Sequence, residues 1–133
     1  MSLIVDASVA IRWYVPEDGW REAEAILHEP DELLAPDLII AEIGSAIWKR
    51  IRRGDIPSGF EAGLLERAAS AFDVLVPSAE LGADALKLAL SVGHPIYDCL
   101  YLSLCRRENA GLVTADKRLA ALAAEIGIIT RLL

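Results

Sequence analysis

The sequence predicts an α/β fold: a central, mostly parallel sheet of four to five short strands with helices on both faces. Three observations predict it. Short, uninterrupted apolar runs ("SLIV", "GLVT", "GIIT") have the character of strands buried on both faces, as parallel strands are. These runs alternate with longer segments whose apolar residues recur at helical spacing. Pro30, Gly54, Pro57, Gly93 and Pro95 fall at boundaries of the helical segments.

In order, "SLIV" is a strand that runs straight into a helix, "DASVAIRWYV". "EDGWREAEAILHE" is an amphipathic helix closed by Pro30, and "ELLAP" a short strand. Asp37 opens the helix "LIIAEIGSAIWKRIRR", which stops at Gly54. Pro57 opens "PSGFEAGLLERAASAF", with Phe60, Leu64, Ala68 and Phe72 on one face. "DVLVP" is a strand, and Ser78 caps the helix "AELGADALKLALSV", which ends at Gly93. Pro95 starts the next helix, which carries "YDCLYLSLCRR". "GLVT" is a strand, "ADKRLAALAAEI" a helix and "GIIT" the last strand.

A length of 133 residues suits one domain, 1–133, and no linker-like stretch divides it. With 54% hydrophobic and 25% charged residues and a mean hydropathy of +0.38, the chain has ample material for a core. Asp6 interrupts the apolar N-terminal stretch, so no secretory leader is expected. Acidic residues also interrupt the most apolar windows, so no membrane span is expected and a cytoplasmic location is. Cys99 and Cys105 lie on different sides of one helix and read as small buried hydrophobes. The net charge of −7 argues against a nucleic-acid binder unless the acids are gathered in a metal site and the bases on one surface.

Four acids stand out by position. In an open parallel sheet, ligands bind beyond the carboxyl ends of the strands, where the following helices begin. Asp6 ends the first strand, Asp116 follows the strand "GLVT" by two residues, and Asp98 lies in the first turn of its helix. Asp6 and Asp116 each fit a helix N-cap, and Asp98 fits a partner for a helix dipole. Glu42 is harder to explain, because "LIIAEIGSAIW" surrounds it with apolar residues and the next base on its helix, Lys49, is two turns on. If the four converge, repulsion of about 4 kcal/mol between carboxylates about 4 Å apart makes an empty cluster unfavourable. Such a cluster takes up protons or cations. Oxygen ligands without His or Cys suit Mg²⁺ or Mn²⁺ rather than Zn²⁺. A divalent pair in such a site supports phosphodiester hydrolysis.

Four segments then carry a family resemblance: "IVDASV", "PDLIIAEIGSAIWK", "YDCLYLSL" and "LVTADKRL", in that order. With them, the sequence resembles the PIN-domain ribonuclease toxins of the VapC type. The resemblance implies a PIN-like α/β/α sandwich in which Asp6, Glu42, Asp98 and Asp116 are the catalytic metal ligands, with site hydroxyls at Ser8 and Thr114. It further implies a homodimer, endoribonuclease activity with Mg²⁺ or Mn²⁺, and inhibition by a VapB-type antitoxin. The family often has an aromatic residue at the position of Leu119, a change read as packing. The other readings are an inert PIN-like binding module and, from a different class, a Mg²⁺-dependent phosphatase or a phosphoacceptor domain. The phosphatase reading fits poorly, since Ser8 stands where a second Asp would be needed.

For RNA, Lys49 and Arg53 in "KRIRR" form a candidate phosphate stripe on the face of Glu42, although cations before Gly54 also complement a helix dipole. Lys117 and Arg118, adjacent to Asp116, are better placed. His94 reads as a loop residue, and Trp13, Tyr14, Trp20 and Trp48 as core or interface aromatics.

Overall fold

The computed structural model describes residues 1–133. Five strands form one parallel sheet: β1 (Ser2–Val5), β2 (Glu32–Pro36), β3 (Val74–Val76), β4 (Gly111–Thr114) and β5 (Thr130–Leu132), in the order β3-β2-β1-β4-β5. Seven helices connect them: α1 (Ala7–Ala10), α2 (Trp20–Ile26), α3 (Leu38–Arg53), α4 (Glu61–Ser70), α5 (Ser78–Val92), α6 (Ile96–Glu108) and α7 (Lys117–Glu125). The chain moves outward from β1 through β2 to β3, then crosses back to β4 on the other side of β1. Right-handed crossovers accordingly put α1–α4 on one face and α5–α7 on the other, giving the α/β/α sandwich.

The strand order reverses between β1 and β4, and this is where the carboxyl ends of neighbouring strands part to leave a crevice. Val5 pairs with Val113, and the Asp6 amide still donates to the Val113 carbonyl at 3.3 Å. Asp6 and Thr114 are thereby set side by side at the mouth of that crevice.

The core is one cluster of 33 buried residues. Its centre is α6, where every residue from Cys99 to Cys105 is buried between the sheet and α5. A helix buried all round loses the polar face on which an amphipathic pattern depends. Asp98 is thus fixed to a rigid element. Both cysteines are free and buried, and burial pushes the Cys105 thiol up to about 12. No single helix is long and apolar enough to cross a membrane.

Several element boundaries differ from the sequence expectation. The helix expected from Pro57 begins only at Glu61, because Gly59 takes a φ of +104° and the Glu61 carboxylate turns back to accept its amide at 2.6 Å. Phe60 is consequently 66% exposed instead of facing the core. Ser78 does not cap α5; it is the first helical residue, and its amide and hydroxyl both donate to Asp37 Oδ1. The last strand begins three residues later than "GIIT", since Gly127 (φ +81°) makes the turn and Thr130–Leu132 pair with Leu112–Thr114. Residues ahead of α2 are also outside it, the helix starting after Gly19.

Candidate metal centre

Asp6 is 6% exposed at the end of β1, and both its oxygens are held. The Ser8 hydroxyl donates to Oδ1 at 2.6 Å, and the Thr114 hydroxyl donates to Oδ2 at 2.7 Å. Ser8 and Thr114 are themselves 3.3 Å apart, and each spends its proton on Asp6. Each hydroxyl then accepts a backbone amide from the turn after β4: Ala115 N–H to Ser8 at 2.9 Å and Asp116 N–H to Thr114 at 3.0 Å. This network ties the start of α1 to the end of β4. Burial nevertheless raises the Asp6 carboxyl to about 6, against the lowering effect of both hydroxyls and with a push from Asp116.

Glu42 lies on α3, two turns before the exposed Lys49. The Tyr101 hydroxyl donates to Glu42 Oε1 at 2.6 Å. Burial raises the Glu42 carboxyl, the Tyr101 bond opposes the rise, and the charges of Asp6 and Asp98 add to it. The same contact, with burial first, holds the Tyr101 phenol far above its ordinary range, so it stays a neutral donor.

Asp98 is raised by burial and by Asp116, while His94 and Arg118 pull it down. His94 Nδ1 stands 3.5 Å from Asp98 Oδ2, and Arg118 Nη2 stands 3.8 Å from the same oxygen. Asp116 caps α7, its Oδ1 accepting the amides of Arg118 at 2.9 Å and Leu119 at 3.2 Å. Its second oxygen takes no part in the cap.

Each of the four acids is therefore linked through its charge to at least one other: Asp116 acts on Asp6 and Asp98, and Asp6 and Asp98 act on Glu42. They share one region. As oriented, however, no three of them form a group that holds one ion. Each carboxylate is drawn to its own donors, and like charges favour that dispersal. The donor set, all carboxylate and hydroxyl oxygen, fits a hard divalent cation, and each carboxylate keeps lone pairs beyond those its present donors use.

Of the basic residues singled out in the sequence, Arg118 reaches the acids and Lys117 adjoins it on the exposed start of α7. Lys49 is exposed, and Arg53 pairs with Asp55 at 3.0 Å; neither contacts the acids. Among the aromatics, Trp13 is buried, with its indole N–H donated to the Ala23 carbonyl, whereas Trp20 and Trp48 are exposed. Tyr101 is the site residue that the sequence does not single out. Its spacing of three from Asp98 is the available signal, since residues three apart on a helix share a face.

The PIN-domain family profile matches residues 3–125. The chain belongs to the PIN-domain family. This PIN domain is 37% identical over 122 residues to ribonuclease VapC3 of Pyrobaculum aerophilum, covering 90% of this chain and 93% of that protein. Among solved structures, PAE2754 of Pyrobaculum aerophilum superposes with a TM-score of 0.73 at 26% identity, over 98% of this chain and 83% of the other. VapC20 of Mycobacterium tuberculosis, a Sarcin-Ricin loop cleaving toxin, shares the fold with a TM-score of 0.68 at 14% identity, over 96% and 97%. VapBC2 of Rickettsia felis, solved on a DNA fragment from its promoter, shares it with a TM-score of 0.64 at 15% identity, over 100% and 99%. Within the family, this PIN domain is of the VapC type.

Proposed function

We propose that this PIN domain, spanning 1–133, is a Mg²⁺- or Mn²⁺-dependent endoribonuclease and the toxin of a VapBC-type pair. The observation that carries the reading is the buried Asp6 carboxylate, clamped by Ser8 and Thr114 at the switch point of the sheet with Glu42, Asp98 and Asp116 around it. The identity to ribonuclease VapC3 supports the same activity.

In this reading, Asp6, Glu42, Asp98 and Asp116 hold the metal. When bound, a divalent ion lowers the pKa of water and offsets charge on the phosphodiester oxygens. The chain does the rest. Ser8 and Thr114 fix the direction of Asp6, and Tyr101 fixes Glu42. Arg118, with Lys117 beside it, meets the RNA phosphate arriving over the acids. Charge neutralisation of the acids removes much of the repulsion that a chain of net charge −7 presents to RNA. A VapB-type antitoxin is the protein partner, in line with the VapBC2 neighbour, and a homodimer in the cytoplasm is the working state.

The test is mapping of new RNA ends in bacterial total RNA incubated with the purified chain in Mg²⁺ or Mn²⁺. Discrete ends that vanish with EDTA and with Asp98→Asn are expected. Ends that persist in both controls would overturn the metal site. An absence of ends, with no melting shift on adding Mn²⁺, would make the chain an inert binding module. Light scattering tests the dimer, and co-purification with the product of an adjacent gene tests the antitoxin.

A further inference from the structure

Beyond the acids, α5 and α6 form an open cavity of about 560 Å³ whose chemistry is of the opposite sign. Lys87 and Ser91, one turn apart on α5, face Ser103, Arg106 and Arg107 on α6, with Asp84 as the one acid in the lining. Arg107 is already engaged, to Glu80 at 3.2 Å and Glu108 at 3.8 Å. Lys87 and Arg106 enter no ion pair.

Ser103 adds an independent sign. It is 6% exposed, and its hydroxyl has no partner within the protein. A helical serine ordinarily donates back to the carbonyl four residues earlier, as Ser70 does to Glu66 at 2.8 Å. Ser103 forgoes that bond and lines the cavity instead. The hydroxyl is open to the cavity, where an acceptor would take its proton in place of water. Leu88 and Ile126 give the cavity an apolar side, and its volume falls in the range of small-ligand sites. Along α6, Arg106 lies about 12 Å from Asp98, so one phosphate does not serve both places.

We propose that this cavity binds a phosphoryl group, with Lys87 and Arg106 neutralising it and the Ser91 and Ser103 hydroxyls donating to its oxygens. The proposal rests on the cavity's own donors and does not need the nuclease reading. The phosphoryl group belongs either to a free nucleotide or to the backbone of an RNA strand.

The test is an amide NMR titration of the full chain in EDTA with inorganic phosphate, adenosine monophosphate and a short oligouridylate. Shifts confined to residues 87–92 and 103–107 are expected with phosphate. Lys87→Gln with Arg106→Gln should weaken binding about tenfold, as loss of charge-assisted bonds does. Ser103→Ala should weaken it by a smaller factor. The Mn²⁺ melting shift assigned to the acids should be unchanged in both variants, so failure of the metal reading is told apart. Tighter binding of the oligonucleotide assigns the site to RNA, and tighter binding of the mononucleotide to a free ligand. Shifts absent from these residues, or a double variant that binds like the parent chain, would overturn the site.

Discussion

The Tyr101 hydroxyl donates to Glu42 Oε1 across 2.6 Å, joining the buried α6 to α3 over a separation of 59 residues. This bond is what makes an acid among isoleucines tolerable. Burial and the neighbouring charges of Asp6 and Asp98 raise the Glu42 carboxyl, and the phenol is the group that opposes them. Tyr101 is 2% exposed, so no water replaces it.

Tyr101→Phe keeps the ring and removes only that donor. At neutral pH the variant is expected to lose about 1.5–3 kcal/mol, the range for a hydrogen bond to a charged group, measured by urea unfolding. The Glu42 carboxyl should titrate higher still by carbon-detected NMR. An unchanged Glu42 titration would mean that the contact carries no weight in solution.

Asp6 makes stability depend on pH in the direction opposite to that of a salt-bridged acid. Its carboxyl titrates at about 6 in the fold against 3.8 as its ordinary value. Between those values the folded chain holds a proton that the unfolded chain has released, so stability falls as pH rises through the interval. The contribution is fully present below about 3.8 and lost above about 6, a swing of about 3 kcal/mol. Glu42 and Asp98, also raised, act in the same sense. Urea unfolding in EDTA should therefore show a more stable protein near pH 5 than near pH 7, and Asp6→Asn should flatten that slope. Saturating Mn²⁺ competes with the proton and should reverse the trend. A chain whose stability in EDTA rises from pH 5 to pH 7, with the same slope in Asp6→Asn, would show that Asp6 is not the source.

How much of this was legible in the sequence depends on the range of the interaction that decides each feature. Strand and helix order followed from apolar periodicity, a local signal, and so did the positions of Asp6, Asp98 and Asp116 at the sites where strands end or helices start. Boundaries failed where one residue's backbone overrode the pattern, as at Gly59, where a φ of +104° delays α4 to Glu61. Ser78 read as a cap because the type is right, but Asp37, 41 residues away, takes its hydroxyl. The acids were visible and their donors mostly were not. Ser8 and Thr114 were named only through family resemblance, and the Glu42–Tyr101 pair closes across the fold. The four acids do share one region, and Asp6 and Glu42 are each held there by donors distant in sequence.

Asp98→Asn removes one charge from a region that holds too many. Asp98 is raised by burial and by Asp116, so its ionised form is a burden on the metal-free fold. The variant should melt at the same temperature as the parent chain or higher in EDTA. The stabilisation by Mn²⁺, about 2.7 kcal/mol at a hundredfold excess over its dissociation constant, should fall sharply. Loss of activity together with a lower melting temperature in EDTA would instead mark Asp98 as a structural residue.

Thr114 is the other half of the clamp on Asp6, and the expectation for it differs. It is 0% exposed; its hydroxyl donates to Asp6 Oδ2 and accepts the Asp116 amide, so both of its roles are inside the protein. Thr114→Val fills the same space and removes both bonds. The Asp116 amide then faces a methyl group, and Asp6 keeps only the Ser8 hydroxyl on its side chain. A loss of about 2–4 kcal/mol is expected at neutral pH, since a charged acceptor and a buried donor are both left short. The loss should shrink below pH 5, where a protonated Asp6 no longer needs a donor on Oδ2. That pH dependence is the informative readout, because a packing defect would cost the same at either pH. Ser8→Ala should show the same pattern at lower amplitude, Ser8 being the more exposed of the pair. A Thr114→Val loss that is constant from pH 5 to pH 7.5 would place its cost in packing and leave Asp6 without its second clamp.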